Sequence, residues 1–363
     1  MTQTVSELLK KRELPSLLSD REEMKEILLK NEYGYLPDTK WECSCTDAVL
    51  IDGRMCGGAV KLSKFDMTVS SEYGSHTFPV FRLFHRDGKK HPFFILLNFH
   101  RVPSLYFPVE EVAEAGFDVI TVCYTDVTSD DGDFSNGLAG VLLPPGARNS
   151  ETCCGKIGLW SFAARRLMDY AEKQDCLDLN RSAILGHSRL GKTALVTGML
   201  DERFRFVFSN DAGCAGDSIA KGSIGQLGIT GRTGHPGETV EFINGRFPYW
   251  FCENYKKIAE KGYSDEFDQH FLLATIAPRH VYVASASMDD WADPDSQFLC
   301  CAAASPTYEK LGLVGFVHHE KMPEVGDAYH EGMIGYHMRY GNHFLSRHDW
   351  QRYMEYMELH KND

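Results

Sequence analysis

The sequence predicts an α/β protein: a mostly parallel sheet covered by helices on both faces, with an antiparallel edge on its N-terminal side. Three observations predict it. First, short and nearly continuous apolar runs recur along the chain, as expected of strands buried on both faces. They are "HPFFILLNFH" at 91–100, "GFDVITVCY" at 116–124, "RSAILGHS" at 181–188, "FRFVFSNDAG" at 204–213 and "PRHVYVASAS" at 278–287. Second, helical stretches separate several of them: 108–115, "GLWSFAARRLMDYAEKQ" at 158–174, "KTALVTGMLDE" at 192–202 and a closing "WQRYMEYMELHK" at 350–361. Third, residues 41–90 alternate apolar and polar positions, as in "GGAVKLSKFDMTVS" and "HTFPVFRLFHR". That pattern reads as antiparallel strands, with a turn near Asp87-Gly88.

The remaining stretches follow from local chemistry. "SDREEMKEILLKNEYG" opens with Asp20 and has Glu23 three residues later, a capping-box arrangement, and closes at Gly34. It predicts a helix packed outside the main core. A Gly/Pro/Asp-rich loop spans about 126–150, and the region between 213 and 278 reads as irregular. No repeat or low-complexity linker divides the chain, so the expectation is one domain over 1–363, with 1–40 as a helical extension.

Composition narrows the function classes. Hydrophobic residues are 43% and charged residues 25%, ordinary for a globular chain. A formal net charge of −13 repels nucleic acid and anionic membrane surfaces, so neither is expected as a partner. The first residues, "MTQTVSELLKKRELPSLLSDREE", contain no apolar signal-peptide core, and no run approaches the roughly 20 apolar residues of a spanning helix. The eleven cysteines form no CxxC pairs at zinc spacing, which favours reduced thiols in a cytoplasmic protein over a disulfide framework. No HExxH or EF-hand pattern occurs, so neither a catalytic metal nor a cofactor is expected.

"GHSRLGKT" at 186–193 carries the chemistry and reads two ways. As Gly-x-x-x-x-Gly-Lys-Thr it fits a phosphate-binding P-loop, for which Asp211 at the end of the following strand would supply a magnesium ligand. As a serine on a tight turn between strand and helix it fits a nucleophile elbow, in a variant that departs from Gly-x-Ser-x-Gly. The rest of the chain favours the elbow. A serine hydrolase of the α/β-hydrolase fold needs Ser, then an acid, then His, in chain order and at strand ends. Ser188 is followed by Asp211, then Asp289, then His343 in the glycine-flanked loop "YGNHFLSRHDW". A nucleotide hydrolase gives no reason for that loop. His187 and His348 are the rival bases. His187 is expected to point away if Ser188 faces the site, and His348 falls in the first turn of the last helix. Both aspartates remain candidates for the acid.

From about residue 90 onward the sequence resembles the glucuronoyl esterases, carbohydrate esterase family 15. "GHSRLGK" is similar to that family's Gly-Cys-Ser-Arg-x-Gly-Lys, with His187 in place of the cysteine. "FDQHFLLATIAPRHVYVASASMDDWADP" is similar to its Asp-x-His, Ala-Pro-Arg and Asp-Trp elements, and the Gly–His loop follows in the same order. The resemblance implies a three-layer αβα hydrolase and a serine esterase acting on an alcohol ester of a glucuronate-type sugar acid, as a small molecule or oligosaccharide. An acetyl-sugar or short-chain esterase on the same fold, a P-loop nucleotide hydrolase and a non-catalytic carbohydrate-binding relative remain the alternatives.

Roles follow for named residues. Ser188 is the expected nucleophile, although a helix N-cap also suits it. His343 is the expected base. Asp211 is slightly preferred as the acid, because the family is similar in placing a glutamate 23 residues after its serine. The Arg189 backbone N–H suits an oxyanion hole, with a second donor expected near Phe99 and His100. The resemblance adds the Arg189 guanidinium as a stabiliser. Lys192, four residues after Ser188, shares its helix face. The resemblance implies that Lys192 and Trp291 contact the sugar, with Glu238 or Glu241 as a sugar-binding glutamate.

Overall fold

A computed structural model describes residues 3–363. One eleven-stranded sheet organises them. Its strands in chain order are β1 (Trp41–Cys45), β2 (Val49–Asp52), β3 (Val60–Ser71), β4 (Gly74–His85), β5 (His91–Asn98), β6 (Asp118–Cys123), β7 (Leu177–His187), β8 (Phe206–Asn210), β9 (His280–Ala286), β10 (Ala328–Tyr329) and β11 (Ile334–Arg339). The spatial order is β1-β3-β4-β6-β5-β7-β8-β9-β11-β10, with β2 also paired to β3. β5 to β9 and β11 run parallel, whereas β1 to β4 and β10 pair antiparallel.

The alternation of side chains across the pleat builds two cores. On β5, Phe93, Ile95 and Leu97 enter one apolar layer, while Phe94 and Leu96 enter the other. Helices Lys156–Ala171, Arg189–Leu200, His270–Thr275 and Pro294–Lys310 cover the first face. Val109–Glu114 and Arg347–Leu359 cover the second. This is the three-layer αβα arrangement of an α/β-hydrolase. No helix among the described residues is long and apolar enough to cross a membrane.

Three local expectations are corrected. The helix Arg21–Leu28 is part of the core: Met24 and Leu28 are fully buried in the first layer, because its apolar stripe packs on His270–Thr275. Its N-cap Asp20 accepts from Glu22 N at 2.8 Å, so the capping box read at Glu23 does not form. The stretch beyond 287 also holds a helix and two short strands, β10 and β11, that periodicity did not reveal. Helix Pro294–Lys310 is buried around nearly its whole circumference and therefore has no polar stripe. β11, "IGYHMR", is short and buries His337 and Arg339 among its apolar residues.

Candidate active site

The parallel strands aim their C-terminal ends at one edge of the sheet, and the site forms there. β7 ends at His187 and the helix Arg189–Leu200 begins two residues later, so Ser188 turns the whole corner. Its backbone pays for this with φ 59° and ψ −128°, a conformation that strains any residue other than glycine. The turn is fixed by Ser188 N donating to Asn210 O at 2.8 Å and by Ser188 O accepting from Gly191 N at 2.8 Å. Gly186 is required by close approach, since a Cβ there would lie 2.0 Å from Leu190 O. Arg189 opens the helix, where the first backbone N–H groups have no intrahelical acceptor.

The same geometry removes the nucleotide reading. A P-loop wraps phosphate with the free N–H groups of a loop that precedes its helix. Here Gly191, Lys192 and Thr193 are already helical, the Gly191 and Lys192 N–H groups bond Ser188 O, and the Thr193 hydroxyl bonds Arg189 O at 3.0 Å.

His343 stands across the cavity from the elbow, in the loop between β11 and the last helix. Its Nδ1 lies 2.6 Å from Asp289 Oδ2. Asp289 follows β9, and the loops carrying Asp289 and His343 are tied together: Ser287 N donates to Arg339 O and Met288 N to Gly341 O, both at 2.9 Å. Ser188, His343 and Asp211 line one cavity of about 290 Å³ together with Arg189, Lys192, Glu238, Phe242, Arg246, Phe247, Trp250 and Trp291. Lys192 is buried, donates to Ala212 O and stands 3.8 Å from Glu238 Oε2. Glu238 Oε1 accepts from the Trp291 indole at 3.0 Å. Burial pushes the Glu238 carboxyl up from its ordinary value, and the Lys192 charge opposes that shift. The half-exposed Trp291 meets Phe242 edge-on at 4.9 Å. One wall of the cavity is thus a buried ion pair with an indole N–H, and the other is aromatic.

The family model for fungal glucuronyl esterases matches residues 67–312, more than half of the chain. The chain belongs to this glucuronoyl esterase family. It is a carboxylic ester hydrolase. A carbohydrate esterase from an unidentified prokaryote is 29% identical, over 94% of this chain and 84% of that protein. A 4-O-methyl-glucuronoyl methylesterase of Phanerochaete chrysosporium is 27% identical, over 60% of this chain and 44% of its own length. Among solved structures, a promiscuous CE15 esterase from a marine bacterial metagenome superposes with a TM-score of 0.81 at 28% identity, covering 94% of this chain and 91% of its own. The glucuronoyl esterase from Solibacter usitatus gives 0.79 at 27%, covering 93% and 91%.

Within this glucuronoyl esterase family member several sequence expectations meet a different geometry. The preference for Asp211 over Asp289 is not what the hydrogen bonds show. Asp211 turns back on a left-handed backbone, φ 46°, and accepts from Ala286 N at 2.8 Å, with Arg339 Nη2 at 3.4 Å. Burial, and then the nearby charge of Asp289, push its carboxyl well above the usual range. Donor atoms of Asp211, Asp289 and His343 lie within 4.8 Å of one another, a spacing a metal could use. The His343–Asp289 hydrogen bond and the Asp211 contacts with Ala286 and Arg339 already engage those atoms. His187 does not point away: its ring lies 4.4 Å from that of His343 and bonds Asn210 at 2.7 Å. Burial, aided by His343, drives His187 down to about 3, so it stays neutral. His348 lies beyond Asp349 against Arg352 and His337, away from the cavity. Glu241 is exposed, because Phe242 and Arg246, one helical turn apart, are the residues of that helix that face the cavity. His100 N is taken by Asn98 Oδ1 at 3.3 Å, and the Phe99 ring packs beside the Arg189 guanidinium, so neither lines the cavity.

Sequence reasoning missed two residues that hold the site. Asp130 binds Arg189 Nη1, accepts the Trp250 indole N–H at 2.7 Å and accepts Tyr124 OH at 3.0 Å. Trp250 in turn stacks under the guanidinium at 4.7 Å. Arg339 forms a fork on Asp349, with Nε 2.9 Å from each carboxylate oxygen, and its Nη2 donates to the carbonyls of Asn342, at 3.1 Å, and Phe344. Those carbonyls flank His343. The aspartate in the loop after β6 was a visible signal, but nothing marked Arg339.

Proposed function

We propose that this esterase hydrolyses alcohol esters of a glucuronate-type sugar acid through a covalent acyl-enzyme, with Ser188, His343 and Asp289 as its triad. The observation that carries the reading is the 2.6 Å His343–Asp289 hydrogen bond, set across one cavity from a strained serine elbow. His343 Nε2 takes the Ser188 proton as Oγ attacks the ester carbonyl, then returns it to the departing alcohol. Asp289 holds the productive tautomer and balances the imidazolium. Water repeats the sequence in reverse to free the acid. The negative charge of each tetrahedral intermediate falls to the Arg189 N–H and to its guanidinium, which Asp130 and Trp250 pre-orient.

The sugar ring is assigned to the wall formed by Lys192, Glu238 and Trp291. Lys192 and Glu238 offer a donor and an acceptor to ring hydroxyls, and half-exposed Trp291 offers a face. The reading takes 1–363 as one hydrolase unit, with 1–40 as an extension whose described residues, 3–40, pack onto it. All eleven cysteines are free thiols, which supports assignment to a reducing, cytoplasmic compartment.

Hydrolysis of methyl glucuronate tests the function. Wild type should release methanol and Ser188→Ala should not, the loss being roughly a thousandfold or more in a folded protein. A folded Ser188→Ala that retains most activity refutes the nucleophile. Hydrolysis confined to 4-nitrophenyl acetate favours the short-chain reading over the glucuronate one.

A further inference from the structure

We propose that His280, His360 and Asp363 form a binding site for a zinc-class divalent cation at the end of the sheet opposite the catalytic serine. His280 is the first residue of β9, while the other end of β9 leads to Asp289. Seven residues of strand place the two sites roughly 20 Å apart. His360 caps the last helix and Asp363 follows three residues later.

The hydrogen bonds decide where the imidazole lone pairs point. Tyr356 OH donates its one proton to Gly332 O at 2.7 Å. Its oxygen can therefore only accept from His280 Nδ1, 3.0 Å away. Nδ1 carries the hydrogen and Nε2 carries the lone pair. That Nε2 is buried, in a residue only 1% exposed, makes no hydrogen bond among the described residues, and faces Asp363 Oδ2 at 3.9 Å. An orphaned lone pair of this kind is costly unless something binds it. His360 repeats the pattern. Its Nε2 faces the carbonyl of His330 at 2.7 Å and must donate, while Nδ1 makes a 2.6 Å hydrogen bond with Asp363 Oδ2, whose proton a bound cation would replace. Both rings thus use the outer nitrogen on a protein acceptor and turn the inner one toward a shared carboxylate, as metal-binding histidines do.

The spacing fits. The three donor atoms lie within 4.8 Å of one another. A tetrahedral ion with ligands at about 2.0–2.2 Å separates them by about 3.3 Å, between the 2.6 and 3.9 Å seen here. Two imidazoles and one carboxylate suit zinc, cobalt or nickel rather than calcium or magnesium. The half-exposed Asp363 leaves a side open for water as the fourth ligand. Bound there, the ion joins the end of the last helix to the first residue of β9. Its role is structural, since it touches no residue of the catalytic cavity.

The experiment uses untagged full-length protein stripped with a chelator. Zn²⁺ is titrated in competition with a chromophoric chelator, and Co²⁺ binding is followed by its visible spectrum. The expected result is one tight ion per chain, a tetrahedral cobalt spectrum and a higher Tm with zinc. Asp363→Asn, in a half-exposed side chain, and His360→Gln should each weaken Zn²⁺ binding by roughly tenfold or more and remove the Tm gain. Ester hydrolysis should be unchanged in both. Failure of wild type to bind Zn²⁺ and Co²⁺ overturns the proposal. So does binding that survives in both variants, including zinc that inhibits hydrolysis by occupying Asp211, Asp289 and His343.

Discussion

Asp289→Asn and Asp211→Asn differ by one atom each, yet the geometry predicts unequal outcomes. Asp289 Oδ2 is the acceptor for His343 Nδ1–H at 2.6 Å. An amide there can present NH₂ to the ring, which reverses the tautomer and turns a lone pair away from Ser188. The imidazolium formed during attack also loses the anion hydrogen-bonded to it. Removing such a carboxylate costs roughly a thousand- to ten-thousandfold in kcat, about 4–5 kcal/mol of transition-state stabilisation. Asp211 makes its carboxylate contacts with Ala286 N and Arg339, and burial pushes its carboxyl up. An asparagine keeps the acceptor for Ala286 N. The expected loss is about tenfold or less, through a small shift of Arg339 and of the loop it holds. Steady-state kcat on methyl glucuronate and on 4-nitrophenyl acetate decides the matter, with circular dichroism to show that both variants fold. The reasoning is refuted if Asp211→Asn is the more damaged enzyme, or if Asp289→Asn keeps more than about a tenth of wild-type kcat.

Three further outcomes are expected. Lys192→Ala and Trp291→Ala should lower kcat/KM on methyl glucuronate by roughly tenfold or more while changing 4-nitrophenyl acetate hydrolysis far less, because acetate has no ring hydroxyls to lose; equal losses on both substrates would remove the support for a sugar wall. Asp130→Asn should lower kcat by roughly tenfold with little change in KM, since it frees the Arg189 guanidinium but leaves the wall of Lys192, Glu238 and Trp291 intact; a pure KM effect would instead place Asp130 in ground-state binding. Stability should fall in acid through Asp349. Burial alone would raise its carboxyl, but the His337 hydrogen bond and the charges of His337 and Arg339 bring it down to about 2 from 3.8. The native state then binds fewer protons than the unfolded chain, so stability is fully present above about pH 4 and is lost as the pH falls toward 2, by roughly 2 kcal/mol. Urea midpoints between pH 6 and pH 2 should show this slope in wild type, and Asp349→Asn should flatten it; an unchanged slope in the variant would assign the acid loss to other carboxylates.

What was legible in the sequence was whatever leaves a periodic or local signature. β5 to β9 could be read because strands buried on both faces are continuous apolar runs, and the order Ser, Asp, His could be read because it follows strand ends. The buried polar scaffold could not. His337, Arg339 and Asp349 are more than nine-tenths buried, yet no apolar periodicity marks them as core; only their mutual bonds at 2.8–2.9 Å make burial tolerable. The choice between Asp211 and Asp289 was likewise closed to sequence, because both follow a parallel strand at the same sheet edge. What separates them is backbone handedness: φ 46° at Asp211 turns its carboxylate into the sheet end, and no residue type announces that.

"GHSRLGKT" was ambiguous for a related reason. A P-loop and a nucleophile elbow both take a chain from the end of a strand into a helix, and both need glycine where strand and helix crowd. They differ in where the helix begins. If it begins after the lysine, the loop's N–H groups stay free to surround phosphate. Here it begins at Arg189, so Lys192 falls one turn in, and its ammonium is carried sideways to Ala212 O and Glu238 instead of forward over the loop. The residue that fixes this is Ser188, because its left-handed φ completes the reversal in a single step. A serine held at that strain on a half-buried turn, with its N–H committed to the neighbouring strand, is left with its hydroxyl as the group free to react.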